Sequence, residues 1–155
     1  MPTVPGQLLA AIKARKFGTV ARLFAPQVDF QGWTPAGHWI ANDPTTAGRI
    51  IEVWFSPGAG STIVSSSETN GARGSAILEF EIAWKAPPDD QPRMLRQVYL
   101  LTVKSDKIVS ARVYCPGLHT EFPEVDIEKQ RRTRGLAAPK PPAPRAVPAK
   151  AGSAT

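Results

Sequence analysis

The chain's 155 residues, 42% hydrophobic, 21% charged and 8% aromatic, suit one domain with a buried core, and no apolar run reaches the roughly 18 residues of a membrane-crossing helix. The net charge of +6 is uneven: residues 1–128 hold 12 basic and 13 acidic side chains, and residues 129–155 hold 7 basic and none acidic. A body that sums to −1 lacks the basic face of a folded nucleic-acid-binding domain, so no specific nucleic-acid partner is expected.

Cys115 is the only cysteine, which excludes an internal disulfide and points to a reducing, cytoplasmic setting. Cys115, His38 and His119 are the whole stock of soft ligands, so no metal is expected. The opening MPTVPGQLLAAIKARKF has neither a continuous apolar run nor an A-x-A-like site, and reads as no secretory signal.

Along the chain, Leu8, Leu9, Ile12, Val20, Leu23 and Phe24 recur at helical spacing. They predict helices over 7–12 and 20–24, broken near Phe17-Gly18 and stopped by Pro26. The alternating VDFQGW, 28–33, predicts a short strand, and TPAGHWIAND reads as a loop. Asp43 as N-cap and Pro44 at the first helical position then open a helix. That helix carries Ala47, Ile50, Ile51, Trp54 and Phe55 on one side and stops at Ser56-Pro57-Gly58. After Gly60 the period becomes two, which predicts strands over 61–68, 75–86, 93–104 and 107–115. Ser105-Asp106 fits a two-residue hairpin turn. Helices first and antiparallel strands afterwards predict an α+β fold, with N-terminal helices packed on an antiparallel sheet over 1–123.

Residues 124–155 form a basic Pro/Ala-rich tail that buries too little apolar surface to offset its ordering entropy, and reads as disordered. Its cluster Lys129, Arg131, Arg132 and Arg134 suits either an anionic partner or a plain solubilising role.

Strand alternation sorts the two sheet faces. Leu78, Phe80, Ile82 and Trp84 share the helix-facing side with Gln97, Tyr99, Leu101, Val103, Val109, Ala111, Val113 and Cys115. Glu79, Glu81, Lys85, Arg96, Ser110, Arg112 and Tyr114 take the other side, where opposite charges can pair across strands.

This order of elements resembles the nuclear transport factor 2-like, or SnoaL-like, superfamily. The phrases that carry the resemblance are ARLFAPQVDFQGW, PAGHWIANDPTTAGRIIEVWF and VYLLTVKSDKIVSARVYCPG, within residues 5–120. The resemblance implies a curved sheet and helices enclosing a conical pocket for an apolar small molecule. It also implies a homodimer through the outward sheet face, around Glu79, Glu81, Arg96, Arg112 and Tyr114. Enzymes of this group place an Asp or His in the cone as acid or base, and by position the ketosteroid-isomerase base falls near Asp29. Alternation leaves the direction of Asp29 open, because Val28 and Phe30 are the natural core-facing pair.

Four residues qualify for proton transfer or oxyanion stabilisation. His38, in the loop bounded by Trp33 and Trp39, is of the residue type that shuttles protons, and the same position suits a loop histidine bonded to backbone or water. His119, just past the last strand, reads as a rim residue or a surface one. Tyr99 has a hydroxyl that can donate to a developing oxyanion, or simply be satisfied in a core. Asp29 is the fourth. Trp33, Trp39, Trp54 and Trp84 supply aromatic walls, and Gln97 and Cys115 supply polar or soft contacts on the helix-facing side. No GxGxxG, Walker A, HExxH or GxSxG motif occurs, so no cofactor is expected. Two function classes remain: a cofactor-free isomerase, cyclase or dehydratase acting on an apolar carbonyl compound, and a non-catalytic dimeric binding or adaptor module.

Overall fold

Two capped helix starts frame the N-terminal half. The Thr3 hydroxyl accepts from the Gly6 amide at 3.2 Å and opens α1, Val4–Lys13, three residues earlier than the apolar spacing predicts. Pro5 is tolerated there because first-turn amides have no helical partner. Asp43 Oδ1 accepts from the Thr46 amide at 2.9 Å and opens α3, Pro44–Phe55, as its sequence predicts. Between them lies α2, Phe17–Leu23. Arg15 turns the chain out of α1 at φ 56° and donates to the Phe55 and Ser56 carbonyls, closing the far end of α3.

The structure, a computed structural model, describes residues 2–56, 62–86 and 91–119, together with Lys129 and Arg132. The chain divides into two compact units, Met1–Phe122 and Pro123–Thr155. Within the second, Lys129 and Arg132 have helical backbone and exposed side chains. The rest of the predicted disordered tail, Arg131 and Arg134 included, lies outside the described residues.

In the first unit the strands are β1 (Phe24–Thr34), β2 (Gly37–Ala41), β3 (Thr62–Asn70), β4 (Ser75–Ala86), β5 (Gln91–Lys104), β6 (Lys107–Tyr114) and β7 (Leu118–His119). Their order in the sheet is β2-β1-β6-β5-β4-β3, with β7 added beside β5. The three helices pack against this sheet, an α+β arrangement.

Three details correct the sequence reading. The sheet is mixed rather than antiparallel, because β1 and β6 run parallel with Asp29 opposite Ser110 and Trp33 opposite Tyr114. Side-chain alternation is the same in either direction, so it carries no information on strand polarity. Next, the expected loop over 34–43 contains a strand. β2 folds back on β1 with Gly32 opposite Trp39, and the Trp39 indole N–H bonds the Thr34 hydroxyl at 2.9 Å. Finally, the β5–β6 register slips between Thr102 and Val103. Ile108 and Ala111, three apart, are therefore both fully buried, and Ile108 takes the inward place expected for Val109.

The core lies between the helices and one sheet face. Leu8, Ile51, Phe30, Phe80, Leu78 and Tyr99 are its largest wholly enclosed side chains. Each aliphatic member contributes roughly 1.5–3 kcal/mol by leaving water. The helices approach closely through Gly48, where a Cβ would lie 2.8 Å from the Ala21 Cβ. Gly32 does the same within β1, since a Cβ there would lie 2.5 Å from the Trp54 ring.

Two measurements test this packing. Gly32→Ala forces the indole away and should destabilise the protein by about 1–3 kcal/mol in urea unfolding, with altered tryptophan emission; unchanged stability and emission would contradict the contact. Ser105 and Asp106 both have positive φ, 47° and 58°, as a primed hairpin turn requires. Asp106→Gly should therefore stabilise by about 0.5–1 kcal/mol, read as a higher unfolding midpoint.

Candidate functional site

A cavity of about 460 Å³ opens between α3 and the inward sheet face. Thr34, Pro35 and Ala36 from the β1–β2 hairpin and Gly117 after β6 contribute to it. Val53 and Trp54 of α3 and Trp39 of β2 supply walls. Leu95 and Gln97 of β5, with Cys115, complete it. Trp54 meets Trp39 edge-on at 6.0 Å and lies against Phe30 at 5.9 Å. These contacts hold two indoles in fixed orientations at the cavity wall.

None of these lining residues carries a formal charge. Their polar groups are few and specifically held. Gln97 is fully buried, and its Oε1 accepts from the Tyr99 hydroxyl at 2.7 Å. Burial, followed by the nearby Cys115, pushes the Tyr99 phenol well above its usual range, so it keeps its proton and acts as a donor. With Oε1 occupied, Gln97 Nε2 has no hydrogen-bond partner, and neither has Trp54 Nε1. A buried donor left in that state costs about 1–3 kcal/mol.

The residues singled out from sequence separate into two groups. Trp39, Trp54, Gln97 and Cys115 meet at the cavity, with Tyr99 behind Gln97. Trp33, His38 and Asp29 do not. Because 37–41 is a strand, Trp39 turns inward while His38 turns to the opposite face. There His38 stacks on Trp33 at 4.9 Å, and Trp33 stacks on Tyr114 at 4.9 Å. Trp33 and Trp39 therefore stand on opposite faces of the sheet, and neither Trp33 nor His38 lines the cavity.

Asp29 lies on that same outer face, its side chain 56% exposed and paired with Arg112. The Arg112 hydrogen bond, then that of Gln31, lowers its pKa below the usual carboxylate value. An exposed carboxylate so held is a weak base, and it stands on the wrong side of the sheet to serve the cavity. Arg112 also donates to the Asp29 carbonyl at 2.9 Å. It thus pairs across the parallel β1–β6 ladder rather than with Glu79 or Glu81, as alternation suggested. Arg96 takes both of those carboxylates, Glu81 at 2.6 Å and Glu79 at 3.9 Å. Glu81 is 6% exposed despite its outward register, lying beneath Arg96.

Trp84 pairs with Arg93 and His119 with Met94 along the backbone, and their side chains lie outside the described residues. Sequence reasoning missed Leu95 and Val53. Leu95 was accessible by stepping two residues back from Gln97 on the same strand; Val53, 55% exposed, carried no signal. Gly32 was also missed, although a glycine inside an alternating strand signals a close approach. Among the described residues, no group of three His, Cys, Asp or Glu could hold a metal ion. No helix among them is long and apolar enough to cross a membrane.

No protein-family model and no curated protein matches the chain. Solved structures do. A candidate isomerase from Rhodopseudomonas palustris aligns at 14% identity and TM-score 0.54, covering 70% of this chain and 83% of that one. A candidate polyketide cyclase from Xanthomonas campestris aligns at 10% identity and TM-score 0.55, covering 72% and 86%. A nuclear transport factor 2-like protein from Burkholderia thailandensis aligns at 16% identity and TM-score 0.55, covering 77% and 93%. Likeness at such low identity speaks for the backbone and not for the chemistry. With three helices on a mixed sheet and these structural neighbours, the chain has the fold of the nuclear transport factor 2-like, or SnoaL-like, superfamily.

Proposed function

We propose that this protein binds an apolar small molecule in the cavity between α3 and the sheet. The observation that carries this reading is the wall itself: a space of about 460 Å³ faced by Trp39, Trp54, Val53 and Leu95, with no charged side chain among the described lining residues. Such a space suits a ligand that gains by leaving water.

A catalytic reading draws support from the neighbours described as a candidate isomerase and a candidate polyketide cyclase. It would make the chain a cofactor-free isomerase, cyclase or dehydratase for an apolar carbonyl compound. That chemistry needs a proton-transfer group in the cavity. Asp29 and His38 stand on the other face, the Tyr99 proton is engaged with Gln97, and the His119 side chain lies outside the described residues. Among the described residues the cavity favours binding over catalysis. A single cysteine, half-buried at the cavity, suits a reducing compartment, and we propose a cytoplasmic setting.

We also propose a homodimer through the outer sheet face. Ile40, Ile77, Leu100 and Tyr114 are 64%, 45%, 40% and 46% exposed there, beside the Asp29–Arg112 and Glu79–Arg96 pairs. An apolar patch with both charge signs is self-complementary across a two-fold axis.

Nile red, a neutral apolar dye, should bind with blue-shifted emission and slow the alkylation of Cys115 by N-ethylmaleimide at least about threefold. Unshifted emission together with unprotected Cys115 would reject the cavity reading. Sedimentation equilibrium should give twice the 16.7 kDa chain mass, and Leu100→Asp with Tyr114→Ala should return it to the monomer mass. A monomer mass for the unaltered protein at micromolar concentration would reject the dimer.

A further inference from the structure

A second depression, of about 470 Å³, lies on the helical layer and shares no lining residue with the apolar cavity. Arg15 and Lys16 come to it from the α1–α2 turn and Arg49 from α3, with Glu52 as the one acid among its described lining residues. We propose that this crevice binds the phosphate group of an organic phosphate monoester.

The first support is charge. Three cations stand against one carboxylate, so the lining sums to +2, although residues 1–128 sum to −1. On the sheet, Arg96 and Arg112 are neutralised by Glu79, Glu81 and Asp29. Among the described residues Lys16 and Arg49 have no such partner, and Glu52 pairs with neither. Exposed cations gathered without counter-charge repel one another, and a bound dianion relieves that repulsion.

The second is a fixed arginine. Arg15 follows the α1 C-cap, and the Arg15 and Lys16 amides donate back to the Ile12 and Ala11 carbonyls at 3.0 and 2.9 Å. This position, at φ 56°, is cheapest for glycine, yet it holds an arginine. Arg15 Nη1 and Nη2 donate to the Phe55 and Ser56 carbonyls at 2.9 and 3.2 Å, and the guanidinium lies 5.8 Å from the centre of the Phe17 ring. Two of its five N–H donors are spent on holding it in place, and three remain for an oxyanion.

The third is a glycine that packing does not require. Gly18 lines the crevice from α2 without a left-handed φ, and the nearest atom to a Cβ built there is Arg22 Nη1 at 3.8 Å. In a helix such a glycine costs stability, and what its missing side chain achieves is an open crevice beside Phe17. Charge and shape then select the ligand. Guanidinium and ammonium donors from two elements match the several oxygens of a phosphate, and a lining of +2 suits its near-double charge better than the single charge of a carboxylate. The half-buried Phe17 ring gives the ester's carbon an apolar rest.

Phenyl phosphate and benzoate, titrated calorimetrically into the full chain at low salt, make the test. Flotation with phosphatidylcholine vesicles carrying phosphatidic acid, a lipid with the same phosphate monoester, runs beside it. Phenyl phosphate should bind at least about tenfold tighter than benzoate. Lys16→Gln and Arg49→Gln should each weaken it at least about fivefold, while Lys104→Gln, which removes an exposed cation on β5, should change it by less than about twofold. Gly18→Leu should weaken it at least about tenfold with an unfolding midpoint unchanged or raised. That variant removes no charge, so diffuse attraction to basic residues, those of 129–155 included, would survive it. Vesicle capture that Gly18→Leu abolishes assigns the phosphate to a lipid headgroup; phenyl phosphate bound without vesicle capture assigns it to a soluble ester. Full affinity in Gly18→Leu overturns the proposal, as does equal affinity for phenyl phosphate and benzoate, an effect of Lys104→Gln as large as that of Lys16→Gln, or no binding of either phosphate source.

Discussion

The contact between Gly32 and the Trp54 indole governs much of what this fold can do. A side chain at position 32 would occupy space the ring now fills, with a Cβ only 2.5 Å from it. Its absence lets α3 set an indole flat against β1, where the ring also reaches Phe30 and Trp39. The indole becomes a wall of the cavity instead of a plug in it. The energetic consequence is local, but the geometric one extends across the site, because β2 pairs directly over Gly32 and brings Trp39 opposite. Strand, hairpin and helix are thus keyed to one missing methyl group.

The two faces of the sheet have become different surfaces. Inward, the ladder presents Phe80, Tyr99, Leu101 and Val113 to the helices, and the polar groups that intrude are tied in one short chain from Tyr99 to Gln97. Outward, it carries ion pairs and a three-ring stack of His38, Trp33 and Tyr114. Such stacks add about 0.5–1.5 kcal/mol per pair and stiffen the β2–β1–β6 side of the sheet. Asp29 and His38 belong to this outer surface. The described residues that line the cavity carry no formal charge.

Backbone and chemistry are separable in a fold of this kind. Structural neighbours described as a candidate isomerase and a candidate polyketide cyclase share the arrangement of helices and sheet at 10–14% identity. A cavity between a sheet and its covering helices follows from the fold, since curved strands and straight helices cannot close everywhere on one another. What a cavity does depends on which few side chains project into it. Here the described lining is mostly aromatic and aliphatic, from Trp39, Trp54, Val53 and Leu95, with few polar groups among them.

Much of this was legible from the chain alone, for physical reasons that act locally. Asp43-Pro44 marked a helix start because a cap needs only its own next turn. The Ser105-Asp106 turn could be placed because a two-residue hairpin needs only its own turn residues and the two that flank them, Lys104 opposite Lys107. Alternation put Tyr99 and Gln97 inward and Glu79 and Arg96 outward, since a pleated strand must send successive side chains to opposite sides. Three features were decided only when distant segments met. Parallel pairing placed β1 beside β6 and gave Arg112 to Asp29, a partner 83 residues away. The β5–β6 register slip brought Ile108 inward at a place where a period of two predicts Val109. The β2 strand formed from a segment rich in turn residues and sent His38 and Trp39 to opposite faces. Turn propensity acts over a few neighbours, whereas pairing with β1 and burial of Trp39 against Trp54 are long-range gains that exist only in the folded chain.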